Sequence, residues 1–151
     1  MMQLAPSPGP LVEAEACASK SPSPQAPPRR KPQPIVKWAG GKTRLLNELT
    51  TRMPERFGHY FEPFFGGGAV FFNLEPEQAT LSDINGELIL LYRCVRDHLA
   101  SLIAELQRHP YEKEHYYWMR SQDPETLPPV QRAARTLYLN RTCFNGLYRV
   151  N

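Results

Sequence analysis

Leu88, Leu91, Val95, Leu99, Leu102 and Leu106 recur at steps of three and four residues. One apolar stripe of that period predicts a single long helix over 88–106, ended by Pro110. Upstream, Leu45, Leu46 and Leu49 share one side of a short helix expected over 43–52, which Pro54 closes. The aromatic-rich run HYFEPFF at 59–65 predicts a strand. It runs into Gly66-Gly67-Gly68 and then a helix from Ala69 to about Leu74. ATLSDI at 79–84 predicts a second strand with Asp83 at its end. Downstream, 111–120 is expected to be helical, with Tyr116, Tyr117 and Trp118 partly buried as packing aromatics. A loop follows over 122–129, then a helix over 130–140 that turns Val130, Ala133, Ala134 and Leu137 inward. No internal repeat is present.

Residues 1–33 follow a different regime. SPSPQAPPRRKPQP is low in complexity, and nearly every apolar residue of 1–33 is alanine, proline or an isolated leucine. Such a segment cannot bury enough surface to offset its ordering entropy, so it is expected to be a disordered tail. Arg29-Arg30-Lys31 could touch a polyanion, but three basic residues specify little, and a solvated tail is the simpler expectation. The 151 residues leave enough for a real core after the tail. A net charge of +3 permits nucleic-acid binding without arguing for it. No apolar run is long enough to span a membrane, and the N-terminus lacks the apolar region of a secretory signal. Cys17, Cys94 and Cys143 are odd in number and far apart, which suits a reducing compartment rather than a disulfide framework. His59, His98, His109 and His115 form no metal-binding spacing.

The first candidate for chemistry is PIVKWAGGKT at 34–43, which ends like a phosphate-binding loop. The glycine that such a loop needs five residues before Gly41 is replaced by Val36, and Trp38 stands where the backbone should approach a phosphate. The second candidate is the order strand, glycine turn, helix, strand with a terminal acid, helix. That order is the first half of a nucleotide-type α/β fold, whose ligands bind beyond the carboxyl ends of the strands. The glycine turn and Asp83 should therefore lie side by side. The dinucleotide fingerprint fails, because Phe71 occupies the third glycine position and Asp83 follows Gly68 too early. A ligand with a ribose but no pyrophosphate fits better, and S-adenosyl-L-methionine is one.

KWAGGK (37–42), FEPFFGGGAVFFN (61–73), LSDIN (81–85) and LYLNRTCFNGLYRVN (137–151) stand in one order. In that order they resemble the motifs of Dam-type (D12 class) DNA adenine-N6 methyltransferases. The resemblance covers about 34–151. It implies a Rossmann-like class I S-adenosylmethionine-dependent methyltransferase fold, here incomplete. The cofactor-binding α/β part would occupy 34–99, and a helical segment over 100–151 would open the target-recognition domain.

The resemblance also implies roles. Trp38 and Lys42 match cofactor contacts, with Lys42 a point cation suited to the methionine carboxylate. Trp38 could equally plug the core, and both can hold. Glu62, Phe64, Gly66 and Gly68 match the turn around the methionine moiety. One of Phe64 and Phe65 is expected to pack in the strand. Asp83 matches the acid on the cofactor ribose, with a helix N-cap as its other reading. Arg141, Asn145 and Arg149 match polar positions that approach DNA, where arginine reads guanine and asparagine can pair with adenine. Arg141 and Arg149 could instead contact phosphate. Phe144 and Leu147 match positions near the disturbed base stack.

The family does its chemistry with a [DN]-P-P-[YFW] tetrapeptide, which orients the amino group of a flipped adenine. Asp123-Pro124-Glu125 and Leu127-Pro128-Pro129-Val130 both fail to match it. In the family's motif order it follows the target-recognition region. The chain is therefore expected to be an N-terminal portion, inactive alone, of a site-specific adenine methyltransferase that acts on double-stranded DNA. Such an enzyme is expected to be monomeric when complete, cytoplasmic, of bacterial or phage type, and associated with the nucleoid through DNA. The alternatives are a non-catalytic remnant that binds cofactor or DNA and a nucleotide-binding oxidoreductase. GATC as the recognised sequence is only what the family suggests.

Overall fold

The structure is a computed structural model and describes residues 30–146. The tail expected over 1–33 falls mostly outside that range. Two strands pair in parallel: β1 (Tyr60–Glu62) and β2 (Ala79–Leu81), with Tyr60 opposite Ala79, Phe61 opposite Thr80 and Glu62 opposite Leu81. Both are shorter than 59–65 and 79–84. Pro63 has no N–H to donate, and the chain then curls into the glycine turn. Two hydrogen bonds still join the segments beyond the strands, Ser82 N–H to the Glu62 carbonyl (3.0 Å) and Phe65 N–H to the Ser82 carbonyl (2.9 Å). They hold the glycine turn against the residue before Asp83.

Helix α1 (Leu46–Thr51) is preceded by a 3-10 turn at Lys42–Leu45. Leu46 and Leu49 are half-buried, but Leu45 faces solvent, contrary to the one-sided leucine face expected. Helix α2 (Ala69–Leu74) connects the strands, and Pro76 follows its end.

The long helix expected over 88–106 is two helices, α3 (Gly86–Asp97) and α4 (Leu99–Leu106). His98 breaks them apart with φ −136° and ψ 34°. Leu88, Leu91, Cys94 and Leu102 are buried, while Leu99, next to the break, is half exposed. The stripe is continuous in sequence, but the break lets both segments pack on the same central helix, α6 (Pro129–Thr142). Ala133 and Ala134 on α6 have no side chain beyond Cβ, so α3 and α4 can approach closely. Val36, Leu88, Leu91, Cys94, Leu102, Ala133 and Ala134 form the main core, with Val130 and Leu137 half-buried against it.

Helix α5 (Lys113–Ser121) packs on another side of α6. Its buried residue is Met119, which joins Tyr138 and Leu139 in a second cluster. Tyr116 is half-buried, but Tyr117 and Trp118 lie mostly exposed, each touching one neighbouring ring, Tyr116 and His115 respectively, rather than entering the core. The helical period places 115, 116 and 119 on one face and turns 117 and 118 away. The expected loop over 122–129 contains a 3-10 turn at Pro124–Thr126, and Pro129 already belongs to α6. Buried Arg135 ends α5 by donating to the Met119 (2.8 Å) and Arg120 (3.0 Å) carbonyls. Among the described residues no helix is long and apolar enough to cross a membrane.

Between α4 and α5, His109 Nδ1 lies 3.1 Å from His115 Nε2, and both rings pack on Tyr138. His109 Nε2 is buried without a hydrogen bond; Glu105 Oε1 is 3.8 Å away. Burial holds His109 below the usual 6.5, His115 and Arg108 push it the same way, and Glu105 opposes them. The folded protein therefore binds this proton less readily than the unfolded chain. His109 contributes stability above the ordinary histidine value, and that contribution is lost as pH falls through and below it. Urea unfolding midpoints are expected to drop between pH 7.5 and 5.5, and His109→Gln should flatten that dependence. An equal drop in the variant would remove His109 as the cause.

Candidate functional site

The chain from Trp38 to Gly41 turns back on itself, closed by Gly41 N–H to the Trp38 carbonyl at 3.0 Å. Opposite it, Gly68 N–H donates to the Phe65 carbonyl at 3.0 Å and closes the glycine turn. A cleft of about 220 Å³ opens between these two turns. Its walls include Trp38, Lys42, Phe64, Gly66 and Asp83, five residues singled out from the sequence. Most of the remaining wall is glycine and alanine, so a ligand there meets backbone.

Asp83 joins the parts of the site. Its Oδ2 accepts from Gly66 N–H at 2.8 Å and its Oδ1 from Asn85 N–H at 2.9 Å. Gly66 has φ +56°, which glycine adopts without strain, and a Cβ there would already touch Trp38 at 3.4 Å. The N-cap of α3 is Asn85, whose Oδ1 accepts from Leu88 N–H at 3.2 Å. The carboxylate of Asp83 instead fixes the glycine turn against the start of the helix. Each of its oxygens has two acceptor directions and has spent one on a backbone amide.

Lys42 crosses from the 3-10 turn to β1. Its Nζ donates to Glu62 Oε1 at 2.9 Å and to the Phe64 carbonyl, which leaves one N–H. Glu62 is buried, lies behind Lys42, and accepts from the Tyr60 hydroxyl through Oε2 at 2.9 Å. Burial raises the Tyr60 phenol above its usual range, and the hydrogen bond to Glu62 and its negative charge add to the rise. Tyr60 therefore stays a donor, and the Lys42 ammonium is held at a fixed place on the cleft wall. A phosphate-loop lysine would need that ammonium free to face phosphates.

Trp38 both lines the cleft and packs against the main core. Phe65 is the packed member of its pair at 2% exposure, and Phe64 is 75% exposed. Gly68 sits at the N-cap of α2, outside the cleft wall. Arg141, Phe144 and Asn145 are exposed together at the end of α6 and on the 3-10 turn Phe144–Gly146. Asn145 has φ +57°, a conformation that asparagine tolerates better than most residues. Leu147 and Arg149 lie outside the described residues.

Two neighbouring residues are given no role by the sequence. The Tyr92 hydroxyl donates to the Gly67 carbonyl at 2.8 Å and supports the turn from behind. Burial pushes that phenol up to about 12. Ile84, directly after Asp83, is fully exposed and offers an apolar surface beside the acid. An apolar residue following an acid at a strand end is the signal that could have singled it out.

A short parallel strand pair, a glycine turn and an acid just past the next strand define a mixed α/β protein with a cleft between its two turns. Residues 38–151 match the D12 class N6 adenine-specific DNA methyltransferases, and the chain belongs to that family. It is 47% identical over 125 residues to the type II methyltransferase M1.LlaDCHI of Lactococcus lactis, covering 79% of this chain and 44% of that protein. It is 39% identical over 140 residues to the type II methyltransferase M.MjaIII of Methanocaldococcus jannaschii, with 79% and 48% covered. The DNA adenine methylase of Haemophilus influenzae is 38% identical over 129 residues, with 82% and 45% covered. The chain spans about half the length of the curated relatives it matches.

Proposed function

We propose that this chain supplies the S-adenosyl-L-methionine site and part of the DNA-facing surface of an adenine-N6 methyltransferase acting on double-stranded DNA. The observation that carries this reading is the cleft itself. It gathers Trp38, Lys42, Phe64, Gly66 and Asp83 from segments up to about 45 residues apart. In this reading β1, α2, β2 and α3 are the first half of a Rossmann-like sheet, and the helices after residue 99 open the target-recognition domain.

The donor set suits the cofactor. The remaining Lys42 N–H can meet a carboxylate, and the free acceptor directions of Asp83 can meet ribose hydroxyls. The low glycine wall admits a ligand to the backbone. Exposed Ile84 offers a face to a heterocyclic ring. When bound, the cofactor supplies an electrophilic methyl group. This chain's own residues bind and orient it: Glu62 and Tyr60 hold Lys42, and Asp83 and Tyr92 hold the turn. Arg141, Phe144 and Asn145 supply a cation, a stacking face and an amide at the DNA side. The working place is the cytoplasm, on DNA.

The test starts with S-adenosyl-L-homocysteine and the purified protein. At a hundredfold excess over Kd it should raise unfolding stability by about 2.7 kcal/mol. Tritiated methyl transfer to an adenine-containing duplex, and not to one built from deoxyinosine and deoxycytidine, is the activity expected of the whole protein. No stabilisation by any concentration of the homocysteine compound would sink the reading.

A further inference from the structure

Lys37 lies between buried Val36 and Trp38, in a segment that belongs to neither strand. Its backbone is held by a side chain 103 residues away. Asn140 Nδ2 donates to the Lys37 carbonyl at 2.8 Å, and Lys37 N–H donates to Asn140 Oδ1 at 3.2 Å. The amide thus pairs with both polar groups of one residue, as a neighbouring strand would. The same Nδ2 lies 3.4 Å from the Gly146 carbonyl. Asn140 is 1% exposed, so neither water nor ligand competes for these bonds. Gly146 also abuts the segment directly: a Cβ on it would lie 3.0 Å from Lys37 Cδ.

We propose that Asn140 is a positioning residue that ties the cleft segment 37–42 to the exposed turn Phe144–Gly146. One buried amide then sets the register between the cofactor side and the DNA side. This rests on the function proposed above. The chemistry demands asparagine. Aspartate keeps the acceptor for Lys37 N–H and loses the donor, alanine loses both, and glutamine is a methylene too long for the same pairing. Asn140 touches neither ligand, so its effect on binding must pass through the two segments.

The experiment uses the full-length protein with Asn140→Ala, Asn140→Asp and Met119→Ala, the last a control that removes buried volume in the second core cluster. Kd is measured for S-adenosyl-L-homocysteine and for a 20-base-pair duplex, together with amide exchange. Asn140→Ala should weaken both ligands roughly tenfold, the scale of one buried partner lost, and Asn140→Asp at least as much, because its buried carboxylate would face the Lys37 carbonyl where the amide donated. Exchange should rise together in 37–42 and 144–146. The Met119→Ala control should lower Tm and leave both Kd values in place. If Asn140→Ala does not fold, Asn140→Asp carries the comparison alone. Unchanged affinities in a destabilised Asn140 variant, or exchange rising in only one segment, overturn the proposal. If the wild type binds neither ligand, the proposed function falls and the link to the reaction falls with it. The exchange data, which need no ligand, then decide the tether on their own.

Discussion

Asp83→Ala is expected to weaken S-adenosyl-L-homocysteine binding by about 1–3 kcal/mol, roughly 5- to 150-fold in Kd. Two losses combine. The variant removes a charged acceptor from the cleft wall, and it releases the Gly66 and Asn85 amides that the carboxylate holds at 2.8 and 2.9 Å. Releasing Gly66 loosens the turn that shapes the opposite edge of the same wall. Asp83→Asn separates the two parts. Its single carbonyl oxygen can serve one amide while the charge is gone, so its Kd should fall between those of wild type and alanine. Calorimetric titration measures the binding, and unfolding without ligand measures the turn. Unchanged Kd in Asp83→Ala would remove this residue from the proposed cofactor site, whatever happened to stability.

The second large effect is on folding. Gly68→Ala should destabilise the protein by roughly 2–4 kcal/mol, because two penalties fall on one atom. The backbone there has φ +79°, where an L-residue is strained. The new Cβ would lie 2.6 and 2.8 Å from two ring atoms of Phe65 and 2.9 Å from Phe72. Phe65 is buried and held edge-on by Phe71 and Tyr92, so it cannot swing aside cheaply. Gly67→Ala is the comparison. Its closest neighbour would be the Val36 carbonyl at 3.2 Å, and its φ is not in the left-handed range, so its cost should be smaller. Urea denaturation with equal midpoints for Gly68→Ala and wild type would contradict the geometry.

The cleft is legible in the sequence because its parts are short contiguous stretches, each with its own local geometry. Gly66 and Gly68 sit in a turn that needs positive φ, and Asp83 ends the segment paired beside it. What each residue does is less legible. The two readings of Asp83, ribose acid or N-cap, stay open in sequence because Asn85 could take the cap, and in the structure it does. Glu62 reads as part of the ligand turn, yet its carboxylate is buried and already committed to Lys42 and Tyr60. Only tertiary contact shows that, since Lys42 comes from another element. The single helix expected over 88–106 fails for a similar reason. Its stripe gives the period of each half but carries no sign of α6, which both halves must reach. Tyr117 and Trp118 mislead because aromatic character suggests burial, while the face set by Met119 decides it. Tyr92 belongs to no motif, Asn140 lies in the last motif without a role read for it, and their partners lie 25 and 103 residues away.

The bond between Lys37 and Asn140 also sets an order in time. A ribosome adding about 5–20 residues per second makes Lys37 roughly 5–20 s before Asn140 exists to hold it. Throughout that interval β1, the glycine turn, β2 and α3 can form from neighbouring chain, while Val36 waits for Ala133 and Ala134 to close the core around it. The chain leading into the cleft's first wall, at Val36 and Lys37, is therefore the last to set. A nascent chain stalled before α6 would leave Val36 exposed and the Lys37 backbone unpaired, the kind of surface that chaperones bind.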